Sequence, residues 1–253
     1  MKKTLFATTL IAALTLTAAA QQKPAMWLHR SGSSEEPQWA PSGTPPALCR
    51  PCLFYGGDLN PNDPNAIGLS DENTLYIVGS STYAAYNVPN GVTARVTGIL
   101  VNVLASVNFD PKIASYDIRT GIVEGSGGTS IASGTAKIRV ALTGRTYLGM
   151  NEYSVLVRLP AVQYLEEGEY WFNVTATCTN GATDGSCYVG RIFLSNTTQD
   201  TNGISADAQP TGSMYVNSSF FGLTFVNWCT LGLNSSQCGA ASFGLTGTAR
   251  KAE

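Results

Sequence analysis

Six cysteines carry the most explicit chemistry in this chain. They fall into close-spaced pairs, Cys49 with Cys52, Cys178 with Cys187 and Cys229 with Cys238, and none is left over. An even count at short spacing, behind an export signal, reads as three local disulfides. In the chain-entropy model, closing each of the two later loops is worth roughly 2.5 kcal/mol, so each bridge staples a loop and joins no distant parts. Cys49-Arg50-Pro51-Cys52 also has the spacing of half a zinc site. A second Cys-x-x-Cys or a histidine pair would be needed to complete it, and neither is present. The βαβ setting of a thioredoxin-like redox motif is missing as well.

Other chemistries can be tested residue by residue. The one histidine, His29, lies in a proline-rich stretch, and no Gly-x-Ser-x-Gly elbow occurs. A triad needs a histidine held by a folded scaffold, so conventional hydrolase triads are excluded and no catalytic residue is assigned. Glycoside hydrolysis needs only two carboxylates, and Asp117, Glu124 and Glu152 are the candidates. Alternation places Asp117 and Glu152 on outward faces, as ordinary solvated charges. Asp58, Asn60, Asn62 and Asp63, with Asp71 and Glu72 nearby, form an oxygen-rich loop whose spacing could supply several ligands of a structural calcium, the other reading being an Asx-turn loop whose side chains cap their own backbone. No cofactor is required by any other feature. Trp171, Tyr188 and Tyr215, with Tyr83 and Tyr86, are aromatics that could stack on sugar rings, though aromatics in such folds more often serve the core. Gly125-Ser126-Gly127-Gly128 is no phosphate loop, because neither Lys-Ser/Thr nor a helix follows it.

The elements that must position these groups read as β-structure. Residues 1–20 have the three parts of a secretory signal: Lys2 and Lys3, an apolar run from Leu5 to Leu16, and Ala18-Ala19-Ala20. The apolar run is shorter than the roughly 20 residues a membrane span needs, so the expectation is a secreted or periplasmic protein, with no membrane insertion after cleavage. Residues 21–54 hold Pro24, Pro37, Pro41, Pro45, Pro46 and Pro51, a density that predicts a disordered tail or linker. The β-domain is expected over 55–249, with a polar end at 250–253.

Within that domain, period-two patterning predicts strands over Ser115–Arg119, Lys137–Leu142, Glu152–Leu159 and Glu169–Thr177. Ile138, Val140 and Leu142 point inward in the second of these, and Glu152, Ser154 and Arg158 outward in the third. Further strands are expected at Thr74–Gly79, Arg95–Leu104, Arg191–Ser195 and Phe220–Trp228. Pro89-Asn90-Gly91 and Glu166-Glu167-Gly168 supply turns. Many short strands and no amphipathic helix predict an all-β, antiparallel sandwich of jelly-roll type. Charged residues make up 13% of the chain and the formal net charge is −2, which gives no electrostatic footprint for nucleic acid.

One resemblance rests on an ordered set of segments. These are Tyr55-Gly56-Gly57-Asp58-Leu59-Asn60-Pro61-Asn62-Asp63-Pro64-Asn65, Tyr86-Asn87-Val88-Pro89-Asn90-Gly91, Ala114-Ser115-Tyr116-Asp117-Ile118-Arg119, Thr143-Gly144-Arg145, Gly168-Glu169-Tyr170-Trp171 and Ser218-Ser219-Phe220-Phe221-Gly222. The set resembles a family of uncharacterised secreted bacterial proteins, many of which carry a PEP-CTERM sorting tail. The Pro-Glu-Pro motif, apolar helix and basic end of such a tail are not found in this sequence. The resemblance implies one exported β-sandwich domain and brings no activity with it. The functional expectation is a non-enzymatic cell-surface or matrix module that contacts an extracellular glycan or envelope component. A carbohydrate-active enzyme using a carboxylate pair is the alternative, and a purely structural surface protein is a third reading.

Overall fold

The computed structural model describes residues 45–61, 67–74, 77–105, 109–177, 191–197, 214–231 and 240–251. The signal segment, His29, Asn62, Asp63, Cys178, Cys187, Tyr188 and Cys238 lie outside the described residues. The expected all-β class holds. Fourteen strands form one curled sheet, and the described residues contain no α-helix, only a 3₁₀ turn at Trp228–Thr230.

The strands are β1 (Cys52–Tyr55), β2 (Ile67–Ser70), β3 (Glu72–Asn73), β4 (Ser80–Val88), β5 (Val92–Ala105), β6 (Ile113–Thr120) and β7 (Thr129–Tyr147). They continue as β8 (Met150–Leu165), β9 (Gly168–Thr177), β10 (Ile192–Thr197), β11 (Met214–Ser218), β12 (Leu223–Asn227), β13 (Ala240–Ala241) and β14 (Phe243–Lys251). The sheet runs β1-β14-β5-β8-β7-β6-β9-β3-β4-β11-β12, with β10 bonded to β2, β5 and β13. The β3–β9 pairing is parallel, and the other pairings between these strands are antiparallel. Strand β7 links the two halves. Its first half pairs with β6, Thr120 opposite Thr129, and its second half with β8, Ile138 opposite Val157.

The curl brings one face of each half together over a common core. Ile99, Val101 and Val103 of β5 and Val155 and Val157 of β8 meet Ala84 and Tyr86 of β4 and Phe172 and Val174 of β9. Phe54 stands between the halves, with ring centroids 5.1 Å from both Tyr86 and Phe243. Burying side chains of this size contributes about 1.5–3 kcal/mol each.

The opposite face of β5 and β8 is covered too, which corrects the expected outward positions. Cys49 and Tyr55 pack on Leu100 and Leu156, and Leu59 packs on Leu104 and Phe193. The segment around β1 thus roofs this half of the sheet, and Glu152, Ser154 and Leu156 are all buried beneath it. Leu142, expected inward, is 64% exposed, because β7 is the outermost strand there and the core ends at Val140. Two strand expectations also change. Thr74 and Ile77–Gly79 lie outside the strands: the Thr74 N–H donates to the Ile77 carbonyl, the Ile77 N–H donates to Thr74 Oγ1, and Gly79 takes φ +68°. Phe220 lies in the turn before β12, and Trp228 begins the 3₁₀ turn.

Gly98 of β5 lies between β8 and β14 where backbones run closest. A Cβ there would sit 2.7 Å from both the Val157 carbonyl and Thr246 Oγ1. Gly98→Ala should therefore destabilise the fold by about 1–3 kcal/mol, read as a lowered denaturation midpoint at unchanged slope.

Candidate functional site

The sequence elements with most chemical potential converge at the β7–β8 hairpin. Its tip, Leu148-Gly149, has φ of 51° and 73°, the paired left-handed geometry of a tight hairpin turn. Below the tip the register slips: Leu142 pairs with Tyr153 and Thr146 with Asn151. Three residues, Thr143, Gly144 and Arg145, therefore stand opposite Glu152 alone. Gly144 takes φ +87°, which a glycine adopts without a Cβ penalty. This bulge turns Arg145 into the protein rather than along the strand.

Arg145 lies between two carboxyl groups. Its Nε donates to Glu152 Oε2 at 2.5 Å, and its Nη1 is 2.9 Å from Asp58 Oδ1. All three side chains are buried, at 5%, 0% and 1% exposure. Thr143 Oγ1 also donates to Glu152 Oε2, at 2.7 Å. Asp58 Oδ1 accepts from the Tyr55 hydroxyl at 2.7 Å, and that hydroxyl accepts from Asn102 Nδ2 at 2.8 Å. Asn102 Nδ2 donates to Ser242 Oγ as well, and Asn102 Oδ1 accepts from Ser154 Oγ. Ser242 Oγ completes the chain by donating to the Gly57 carbonyl. Desolvation pushes Asp58 and Glu152 above the usual carboxylate range against the pull of Arg145. Burial opposes the charge on Arg145, and Glu152, Tyr55 and Asp58 outweigh it, so its pKa is raised.

A cleft of about 270 Å³ opens beside this cluster. Its rim is the strap Pro45–Leu48, and Asp58, Ala141, Arg145 and Ser154 line it. The strap is tied down by the Cys49–Cys52 disulfide and by Cys49 N–H donating to the Pro46 carbonyl at 2.8 Å. Arg145 Nη2 and Asp58 Oδ2 are buried with no hydrogen-bond partner among the described residues.

The remaining sequence candidates fall elsewhere. Asp58 belongs to the Arg145 cluster, and Asn60 is half-buried with its N–H on the Asn196 carbonyl. Among the described residues, no group of three or more His, Cys, Asp or Glu is placed to hold a metal. Asp117 accepts from Arg119, Tyr83 and Ser130, and Glu124 accepts from the Asn227 N–H. Trp171 is 5% exposed in a satellite cluster with Tyr83, Ala85, Ile122 and Phe225, against which half-buried Tyr215 packs. These aromatics cover the outer face of β4 and β9 and present no open platform. Arg119 closes the cluster, its guanidinium carbon 5.3 Å from the Phe225 ring centre and 5.8 Å from that of Tyr83. Cys229 is disulfide-bonded.

A second polar centre forms around Asp71 and Glu72, which the sequence marks only as neighbours of the oxygen-rich loop. Asp71 is fully buried, and its Oδ1 accepts from Thr82 N–H, Asn173 Nδ2 and Thr175 Oγ1 at 3.0–3.2 Å. Glu72 beside it pairs with Arg191 at 3.0 Å. Set against family models, curated proteins and solved structures, the chain matches none.

Two outcomes follow from these clusters. Arg145→Met leaves two buried carboxyl groups without their cation and should cost about 3–5 kcal/mol in urea denaturation, while adding Asp58→Asn and Glu152→Gln should recover most of that loss. Burial lifts Asp71 to about 7, against its three hydrogen bonds and with a contribution from Glu72. The native chain then holds a proton that the unfolded chain has released between about pH 4 and pH 7. The Asp71 contribution to stability is full below about pH 4 and is lost as pH rises to about 7. Relative to Asp71→Asn, the unaltered protein should lose up to about 4 kcal/mol over that range in pH-dependent melts.

Proposed function

We propose that this chain is an exported, sandwich-like, non-enzymatic β-module of the cell surface or matrix that contacts carbohydrate. The observation that carries the proposal is how the carboxylates are used. Asp117 is tied to Arg119, Glu124 caps a backbone N–H, and Glu152 is fully buried against Arg145 and Thr143. Glycosidic cleavage by two carboxyl groups needs both to reach the scissile bond from opposite sides. Of the Asp58–Glu152 pair, Asp58 lines the cleft and Glu152 does not. A cleft whose lining holds Asp58 as its one carboxyl group among the described residues supports binding over turnover.

Export is supported by the segment Met1 to Ala20 and by the Cys49–Cys52 disulfide, a bond at home in oxidising compartments. The resemblance to secreted bacterial β-proteins belongs to this proposal and adds no activity to it. The convergence of Asp58 and Glu152 beside a cleft is what favours the second reading, a carbohydrate-active enzyme.

A glycan array run alongside a screen for release of reducing ends from polysaccharides separates the two. Binding without turnover is the expected outcome. Turnover that disappears in Glu152→Gln, in protein that still melts cooperatively, would overturn the non-enzymatic reading. Absence of both binding and turnover would leave a purely structural surface protein.

A further inference from the structure

We propose that five cations on the outer face of β7, β8, β5 and β14 form an oblique stripe that binds a carboxylate-bearing polysaccharide. This rests on the reading that the module contacts carbohydrate, and it names a surface and a class of glycan.

Register places the five together. Ile138 and Val140 of β7, Val157 of β8, and Ala94 and Val96 of β5 pack in or against the core. Alternation therefore turns Lys137, Arg139, Arg158 and Arg95 to the opposite face. Arg250 of β14 is paired with Thr93, next to Ala94, and shares its side of the sheet. All five are exposed. Arg139 lies opposite Leu156, Arg158 opposite Gly98, and Arg95 opposite both Tyr164 and Thr248. The stripe thus runs obliquely from β7 to β14, over on the order of 20 Å at ordinary strand spacings.

Arg95 reaches this face through a bulge. Val96 and Ile99 both face the core, which strict alternation forbids at a separation of three. Between Val96 and Gly98 the register of β5 slips against both β8 and β14, and such a slip re-aims the side chains beyond it. Gly247 admits the close approach, since a Cβ there would collide with the Arg95 carbonyl.

The charge on this face is uncompensated, although the whole chain has a formal net charge of −2. Arg145, Arg191, Arg119 and Lys112 are the cations that pair with carboxylates, and the stripe residues have no ion pair among the described residues. Glu166 and Glu167 follow Leu165, which lies opposite Ala94, and bound the stripe at its lower end. Like charges on neighbouring strands repel, so stability does not account for gathering them here. An anionic ligand does.

The surface selects the kind of anion. Single exposed ion pairs are weak, so a flat face without walls binds usefully only a repeating anion that meets several cations at once. Four of the five are arginines, whose planar forks match carboxylates in pairs of hydrogen bonds. Tyr164, 60% exposed and opposite Arg95, offers a ring face to the C–H side of a sugar. It is the one large exposed apolar side chain within the stripe, too little for insertion into a lipid surface or for stacking successive bases.

The test is isothermal titration calorimetry of the full disulfide-bonded chain at low salt. Polygalacturonate is the probe and dextran the neutral control; duplex DNA and phosphatidylglycerol vesicles are the rival polyanions. Polygalacturonate should bind, more weakly as salt is raised, and dextran should not. Joint Arg95→Gln and Arg158→Gln should lower the affinity at least tenfold with the melting point held. Joint Ser126→Glu and Thr224→Glu, exposed positions in the other half of the sheet, makes the same change in net charge and should leave the affinity within twofold. The proposal fails if polygalacturonate does not bind, if the double Gln variant binds as before, or if the double Glu variant loses as much. Tighter binding of DNA or vesicles than of polygalacturonate overturns it as well. A glycan array positive for neutral sugars, with polygalacturonate silent, removes the stripe and spares the carbohydrate-contact reading; silence in both removes the two together.

Discussion

The guanidinium of Arg145 holds together parts of the chain that nothing in local sequence would join. Asp58 comes from the segment after β1, and Arg145 and Glu152 come from the two strands of the β7–β8 hairpin. Desolvating one cation and two carboxyl groups is expensive, and the mutual attraction offsets it only when geometry and further hydrogen bonds are good. Those further bonds exist. Tyr55, Thr143, Asn102, Ser154 and Ser242 form a connected set that reaches β5 and the β13–β14 junction. The entry segment therefore has one register over the sheet, and an apolar roof of equal area would not specify it as tightly.

Two-sided burial follows from that roof. In a half-exposed antiparallel sheet the outer side chains stay in water and the strand alternates cleanly. Here Leu100 and Leu104 of β5 and Leu156 of β8 face outward from the main core, yet they are buried by Cys49, Tyr55 and Leu59. The other half of the sheet has its own cover. Phe225 of β12 and Ile122 of the β6–β7 connection pack over Tyr83, Ala85 and Trp171. A Cβ on Gly127 would come within 2.3 Å of Phe225, so the loop approaches the ring as closely as a bare backbone allows. Each half of the sheet is thus a middle layer, covered on one side by loop residues together with side chains of its own outer strands, Tyr55 of β1 and Phe225 of β12, and on the other by the shared core.

The legible part of the sequence was whatever alternation alone could specify. Tyr116 and Ile118, Val155 and Val157, and Phe172 and Val174 all face the core as period two requires. Pro89-Asn90-Gly91 and Glu166-Glu167 fall between strands as turn chemistry indicates. The misread outward positions share one cause. Glu152 and Ser154 have the pattern of solvated positions, because a buried polar residue and an exposed one look alike until the partner is known. Ser154 bonds Asn102 of β5, and Glu152 pairs with Arg145, which sits in a bulge, where the parity rule breaks. Gly144 inside an alternating run is the local cue for such a bulge, and it marks the residue that brings Asp58 and Glu152 together. Asp71 was legible only as an oxygen ligand beside the Asp58 loop and not as a buried centre, since its partners Thr82, Asn173 and Thr175 reach it from strands separated from it in sequence.

The Cys49–Cys52 bridge takes on a different meaning in this setting. Closing so short a loop removes little denatured-state entropy, about 2 kcal/mol in the chain model, so global stability is a weak reason for its place. Position is a stronger one. Cys52 opens β1 and is paired with Thr246 of β14, while Cys49 ends the turn that begins at Pro46. Cys49 is itself buried against Tyr55, Leu100 and Leu156. The bridge thus ties an irregular, proline-rich strap to a strand whose place is already set by the sheet. The Gly247 N–H, bonded to the Pro51 carbonyl, anchors the residue between them. Pro46 has no N–H with which to join a ladder of its own. A strap that cannot be held by sheet hydrogen bonds is held covalently instead, at the rim of the cleft floored by Asp58 and Arg145. The Cys49–Cys52 disulfide is in this way the element that gives the cleft a fixed wall.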